Sequence, residues 1–212
     1  MVKAKDWIKK NTYFKDVSGI LVVTTDEYLK NKFGKDSQKI LNAKHRLNLC
    51  NLACAPHSSW LTVHPNACVS GYEAGLTYRK KDPTLHVGMV KGADKYDQGR
   101  RSHWRQATRN SPRVDVILGR GDVTDRMEAD YQEDHRAGLV QNSNYFIIPE
   151  NVGELSSTLV REVLSRFEQP GNCEQARQEL DVLMPTSATD YIIKHRDILY
   201  IEQEKDTSEG DE

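Results

Sequence analysis

The chain has 212 residues and a formal net charge of −1, with 30 Lys and Arg set against 31 Asp and Glu. That length supplies one sizeable core, and the even charge balance excludes an electrostatic nucleic-acid binder or a membrane-surface protein. No apolar run is long enough to span a bilayer and Met1–Trp7 holds no apolar segment of signal-peptide length, so the four cysteines read as reduced thiols of a cytoplasmic or nuclear protein.

Lys3–Lys10 reads as the end of an amphipathic helix with Trp7 and Ile8 toward the core, so the chain opens inside an element. Ser18–Thr24 is a continuous apolar, β-branched run, the pattern of a strand buried on both faces of a parallel sheet. Lys39–Ala55 is predicted as a helix whose buried stripe is Ile40, Ala43, Leu47, Cys50 and Cys54. Cys50 and Cys54 offer half of a metal site, but no second Cys or His pair with ligand spacing follows. Small core residues are the preferred reading. Trp60–Val63 is a short strand and His64–Ala67 a turn.

Leu85–Val90 is the next strand, ending at Lys91-Gly92-Ala93-Asp94. Val114–Leu118 is another, ending at Gly119-Arg120-Gly121, and Asp125–His135 is a charged helix. Tyr145–Ile148 is the last strand. Thr186 or Ser187 caps a final helix running to His195, with Asp190 placed for a capping box. The acidic tail, 202–212, is expected to be disordered. Strands alternating with helices predict an α/β fold with a mostly parallel sheet and helices on both faces, one domain over residues 1–201.

The chemistry gathers after the last strand, in Gly153–Leu164. Ser156 and Ser157 stand where a helix cap belongs, the helix start offers free N–H donors and partial positive charge, and Arg161 lies near the first turn. Together these make a phosphate site; a plain cap is the alternative. Ligands of open α/β sheets bind at the carboxyl ends of the strands. Gly92-Ala93-Asp94 and Gly119-Arg120-Gly121 sit at two such ends. Asp94 would accept from a ribose hydroxyl or an amine, and Arg120 would pair with a phosphate, although each alone is also an ordinary surface turn.

The string Ser156-Ser157-Thr158-Leu159-Val160-Arg161 resembles the I-S-S-T-x-[IV]-R motif of the nicotinamide/nicotinate mononucleotide adenylyltransferases. The resemblance runs over nearly the whole chain. Asp26-Glu27-Tyr28 is similar to the family's D-x-Y segment, and His45-Arg46 with Cys50–Ala53 to its H-R-x-x-M-x-E-L-A helix. Ser59–Val63 is similar to S-x-W-[IV]-x-V, Gly92–Asp94 to the G-A/S-D adenosine contact, and Leu183–Pro185 with Tyr191-Ile192 and Ile198–Tyr200 to the family's ending.

The resemblance implies a Rossmann-like nucleotidyltransferase fold and adenylyl transfer from ATP to nicotinamide or nicotinate mononucleotide, forming NAD or deamido-NAD and pyrophosphate. It implies that Ser156, Ser157, Thr158 and Arg161 hold the ATP phosphates, with Mg²⁺ bridging phosphate oxygens. Gly92, Asp94 and Arg120 would hold the nucleotide or NAD. Trp104 would stack on the pyridine ring, with an ordinary half-buried Trp as the alternative. Lys30 or Lys32 would meet the mononucleotide phosphate, although exposed, solvated lysines are the preferred reading. The expected partners are ATP, the mononucleotide and NAD; association with further copies of itself is left open.

The departures are as specific. The family's other phosphate motif, G-x-F-x-P-x-H-x-x-H, has no counterpart among the seven histidines, so no catalytic residue is assigned. The first, central strand belongs with that motif, and its loss would leave two apolar strand edges. Two readings account for this: an incomplete piece of a working enzyme, which fits a match resuming from residue 3, or a non-catalytic, nucleotide-binding or chaperone-like relative. Val22-Val23-Thr24, Asn66-Ala67 and Gly153 replace the family's S-P-V, W-E and Asn. The phosphopantetheine type of adenylyltransferase shares the Ser-rich string, but the Gly92–Asp94 and Leu183–Pro185 segments argue against it.

Overall fold

A computed structural model describes residues 1–34, 40–93, 102–105, 113–140, 144–151, 157–167, 173–195 and 199. They form an α/β fold divided into two compact units, Met1–Gly19 with Ser70–Leu155 and Ile20–Val69 with Ser156–Glu212. The expected tail, 202–212, lies outside the described residues. Among the described residues no helix is long and apolar enough to cross a membrane.

The first unit is built on a three-stranded parallel sheet of β3 (Val87–Gly92), β4 (Arg113–Gly119) and β5 (Tyr145–Asn151), with β4 in the middle. Side chains alternate across a pleated strand, and both faces of this sheet are covered. On one face Val114, Val116 and Ile148 are buried with Ala4 and Ile8 of helix α1 (Val2–Asn11). On the other, Ile117 and Tyr145 pack with Met127 of α6 (Asp122–Arg136) and with Trp104 of the short helix α5 (Ser102–Arg105). Burial on two sides is why the β4 run is apolar almost throughout. The exception is Asp115, 6% exposed, whose carboxylate accepts from Lys91 Nζ at 2.9 Å.

Helix α4 (Gly71–Lys81) approaches β3 so closely that a Cβ on Gly75 would lie 2.4 Å from Val87 Cγ1. Sequence reading assigned no helix here. The signal was an N-cap serine with Glu three residues on: Ser70 Oγ accepts from the Glu73 N–H at 3.3 Å. The following strand starts at Val87 rather than Leu85 because an Asx turn occupies the intervening residues: Asp82 Oδ1 accepts from both the Thr84 N–H and its hydroxyl.

The second unit holds β1 (Gly19–Leu21, except Gly19) paired with β2 (Leu61–Val63), and a cluster of helices. The run Ser18–Thr24 yields only three strand residues because β2 offers three partners. Helix α2 (Asp26–Phe33) and helix α3 (Ala43–Cys54) follow β1. Helix α3 starts at Ala43, not Lys39, because Asn42 caps it, its side chain accepting from the His45 N–H at 3.1 Å. A single turn of 3₁₀ helix, Ala55–His57, leads toward β2.

Helices α7 (Ser157–Phe167), α8 (Cys173–Leu183) and α9 (Thr186–His195) share a core of Val163, Leu164, Ala176, Leu180, Ile192 and Leu199. Fully burying side chains of this size stabilises by about 1.5–3 kcal/mol each, which holds α7 by its apolar stripe and leaves its opposite side open. Asp190 does not close a capping box: it pairs with Arg177 of α8. The single sheet expected from the sequence is thus a three-stranded and a two-stranded sheet among the described residues.

Candidate functional site

Helix α7 carries the residues with the clearest chemistry. Its stripe of Val160, Val163 and Leu164 faces the helical core, so Thr158 and Arg161, one turn apart, fall on the open side. Arg161 Nη2 donates to Thr158 Oγ1 at 3.1 Å. The guanidinium is therefore turned back toward the helix start, where backbone donors and the helix dipole favour an anion. Ser157 is the first helical residue; Ser156 lies outside the described residues, as does the Ser157 side chain.

The other side of this patch is the end of α2. The Arg161 guanidinium carbon lies 5.8 Å from the centre of the Phe33 ring, and Lys32 Nζ stands 5.2 Å from the same centre. Phe33 closes α2, and Gly34 follows at φ 55°, a left-handed value suited to glycine. Lys32, for which an exposed, solvated lysine was preferred over a mononucleotide-phosphate contact, and Arg161, expected at the ATP phosphates, thus both stand near one ring. Lys30 lies on the same last turn of α2. Phe33 was missed, and no local pattern marks it, because its partner is remote in sequence.

The first part of α2 and the His45-Arg46 pair build the frame. Thr25 caps α2, accepting from the Tyr28 N–H at 3.3 Å. Asp26 accepts from the Ala43 N–H at 3.0 Å and pairs with Arg46. Arg46 also donates to the carbonyls of Leu41 and Thr24, each at 2.7 Å. His45 is 4% exposed, with Nδ1 2.8 Å from Tyr191 Oη; that oxygen accepts from Asn48 Nδ2 at 2.7 Å. These residues fix α2, α3 and α9 to one another. Cys54 is buried and Cys50 half-buried, and burial pushes both thiols up; for Cys50 the neighbouring Cys54 adds to the rise and Arg46 opposes it.

In the first unit, Gly92 ends β3, and Arg120 directly follows β4. The two strands are parallel, with Gly92 opposite Leu118, so both residues stand at the carboxyl end of one sheet. The Arg120 N–H donates to Thr124 Oγ1 at 2.6 Å, and Gly121 between them has φ 50°. The loop is thereby joined to the first turn of α6. Asp94 lies outside the described residues.

Trp104 requires a correction. Its side chain is 0% exposed, its Nε1 donates to Asp134 Oδ2 at 2.8 Å, and the rings of Tyr131 and Tyr145 meet it edge-on. Arg105 closes the same carboxylate from Nε and Nη2, both at 2.6 Å. A ring enclosed this way has no face for a pyridine, and Trp104 is a core residue that anchors α5 to α6. Burial also pushes the Tyr131 hydroxyl up.

Among the described residues no group of three or more His, Cys, Asp or Glu side chains could hold a metal ion. A Mg²⁺ that arrives on nucleotide phosphates takes few protein ligands and is not expected to need such a group. No known protein family, curated protein or solved structure matches the chain.

Proposed function

We propose that the chain is a nucleotidyltransferase that transfers the adenylyl group of ATP to nicotinamide or nicotinate mononucleotide, with Thr158 and Arg161 holding the ATP phosphates. The observation that carries this reading is the 3.1 Å contact from Arg161 Nη2 to Thr158 Oγ1. It aims a permanent positive charge at the start of α7, within the string that resembles the family's phosphate motif. The parallel α/β architecture, with Gly92 and Arg120 at one sheet end, is in keeping with the reading.

Such a transfer requires positioning and charge neutralisation more than a protein nucleophile. A mononucleotide phosphate oxygen attacks the α-phosphorus of ATP, the bond to the bridging oxygen breaks, and pyrophosphate leaves with the electron pair. Arg161 would stabilise the charge that builds on the leaving pyrophosphate. Magnesium supplies further charge neutralisation when it comes with ATP.

A second reading has its own observation. The burial of Trp104 removes the residue expected to grip the pyridine ring, which favours a non-catalytic relative that binds ATP alone. Incubation of the full chain with ATP, Mg²⁺ and either mononucleotide, with chromatographic detection of NAD or deamido-NAD, separates the two. Product formation that falls in Arg161→Ala supports the enzyme. ATP binding without product supports the second reading, and neither product nor binding excludes both.

A further inference from the structure

We infer that Phe33 is a positioning residue for Arg161, and that its ring, rather than the helix alone, sets where the cation of the α7 phosphate site stands. This deepens the proposed function and rests on it. Arg161, the fifth residue of α7, has a long, flexible side chain, and free rotation would spread its charge over a wide arc. Two of its contacts narrow that arc. Thr158 Oγ1 takes one Nη2 hydrogen from the helix side, at 3.1 Å. The Phe33 ring lies 5.8 Å from the guanidinium carbon on the other, within the range at which a ring face attracts a cation.

The helix that carries the ring is itself anchored. Phe33 is half-buried at the last position of α2, whose first residue, Asp26, is held to α3 through Arg46 and the Ala43 N–H. Gly34, the C-cap of α2, follows at φ 55°. A second cation, Lys32, uses the same ring at 5.2 Å. Phe33 therefore helps hold the Arg161 guanidinium near the start of α7 before any ligand arrives.

The test uses the full-length chain, inorganic triphosphate as the probe, and Phe33→Leu, Phe33→Tyr and Arg161→Ala as variants. Calorimetric titration gives the affinity. The side-chain Nε–H resonance of Arg161, assigned by its loss in Arg161→Lys, gives the position of the guanidinium over the ring. Leu keeps the bulk of the half-buried site, and a thermal melt checks its fold. Phe33→Leu is expected to move the Arg161 resonance out of its ring-shifted position and weaken triphosphate binding about twofold to fivefold, the size of an exposed cation–ring attraction. Phe33→Tyr is expected to restore both. A wild-type resonance and affinity in Phe33→Leu would overturn the role of Phe33 while leaving the phosphate site intact, provided Arg161→Ala still loses binding. No triphosphate binding by the wild-type chain would overturn the phosphate site and the role of Phe33 with it.

Discussion

Arg161 and Thr158 lie one turn apart on α7, and the Nη2 of the first donates to the Oγ1 of the second at 3.1 Å. The contact joins two polar residues of the serine-rich string and turns the charged head toward the helix start. Removing the head is expected to remove function without removing the fold. Arg161→Ala should lower product formation about 10-fold to 150-fold, the range set by a charge-assisted hydrogen bond. Its melting temperature should stay close to wild type, since the side chain lies outside the helical core. Equal turnover in the variant and the wild type would refute the role given to this residue.

Trp104 is expected to act on stability alone. Trp104→Phe keeps much of the ring packing but leaves the buried Asp134 carboxylate, 1% exposed, without its indole donor. The loss should be about 1–3 kcal/mol, read from urea unfolding. Asp134→Ala leaves the buried indole N–H without its acceptor and should cost about as much, since the Arg105 side chain, 42% exposed, can turn to water. A raised KM for the mononucleotide in Trp104→Phe, with unchanged stability, would return Trp104 to the binding site.

Gly75 marks the closest approach of α4 to β3. Gly75→Ala puts a methyl group 2.4 Å from Val87 Cγ1 and is expected to destabilise by about 1–3 kcal/mol despite the better helix propensity of alanine. Adding Val87→Ala makes room, so the double variant should lose less than the two single losses summed. Strict additivity would show that the two elements do not meet there.

The thiols predict an alkaline weakness. Cys50 and Cys54 have folded-state pKa values raised above the ordinary thiol value, chiefly by burial. The unfolded chain therefore gives up these protons first as pH rises. Their contribution is fully present below the ordinary thiol pKa, about 8.5, and is lost as the pH climbs from there through the raised folded values. Urea midpoints should fall between pH 8 and 10, and less steeply in a Cys50→Ala, Cys54→Ala variant than in the wild type. A steeper fall in that variant would contradict the assignment.

Much of the fold is legible where local pattern and burial agree. Val114–Leu118 reads as a strand because both of its faces are covered, and Lys3–Lys10 as a helix because Trp7 and Ile8 meet the sheet. Helix α4 was hidden by Gly71 and Gly75, which lower helix propensity although Ser70 and Glu73 mark its start. Asp115, a lone acid in an apolar strand, signals a buried ion pair, but its partner Lys91 becomes visible only once the strands are in register.

The site divides the same way. The helix of Thr158 and Arg161 is readable from the serine-rich string and the apolar stripe that follows it. The meeting of Arg161 and Lys32 at Phe33 is not, because it depends on how two helices remote in sequence pack within one unit. Trp104 failed for a related reason: a tryptophan in a polar stretch reads as half-open until Asp134 and the two tyrosines are seen to enclose it.

The most direct test of the central claim is a calorimetric titration of the full chain with Mg²⁺–ATP, in the wild type and in Arg161→Ala. Saturable binding by the wild type is expected, weakened about 10-fold or more in the variant, with both proteins equally folded. Equal affinities, or no binding by the wild type, would contradict the assignment of nucleotide phosphates to the start of α7.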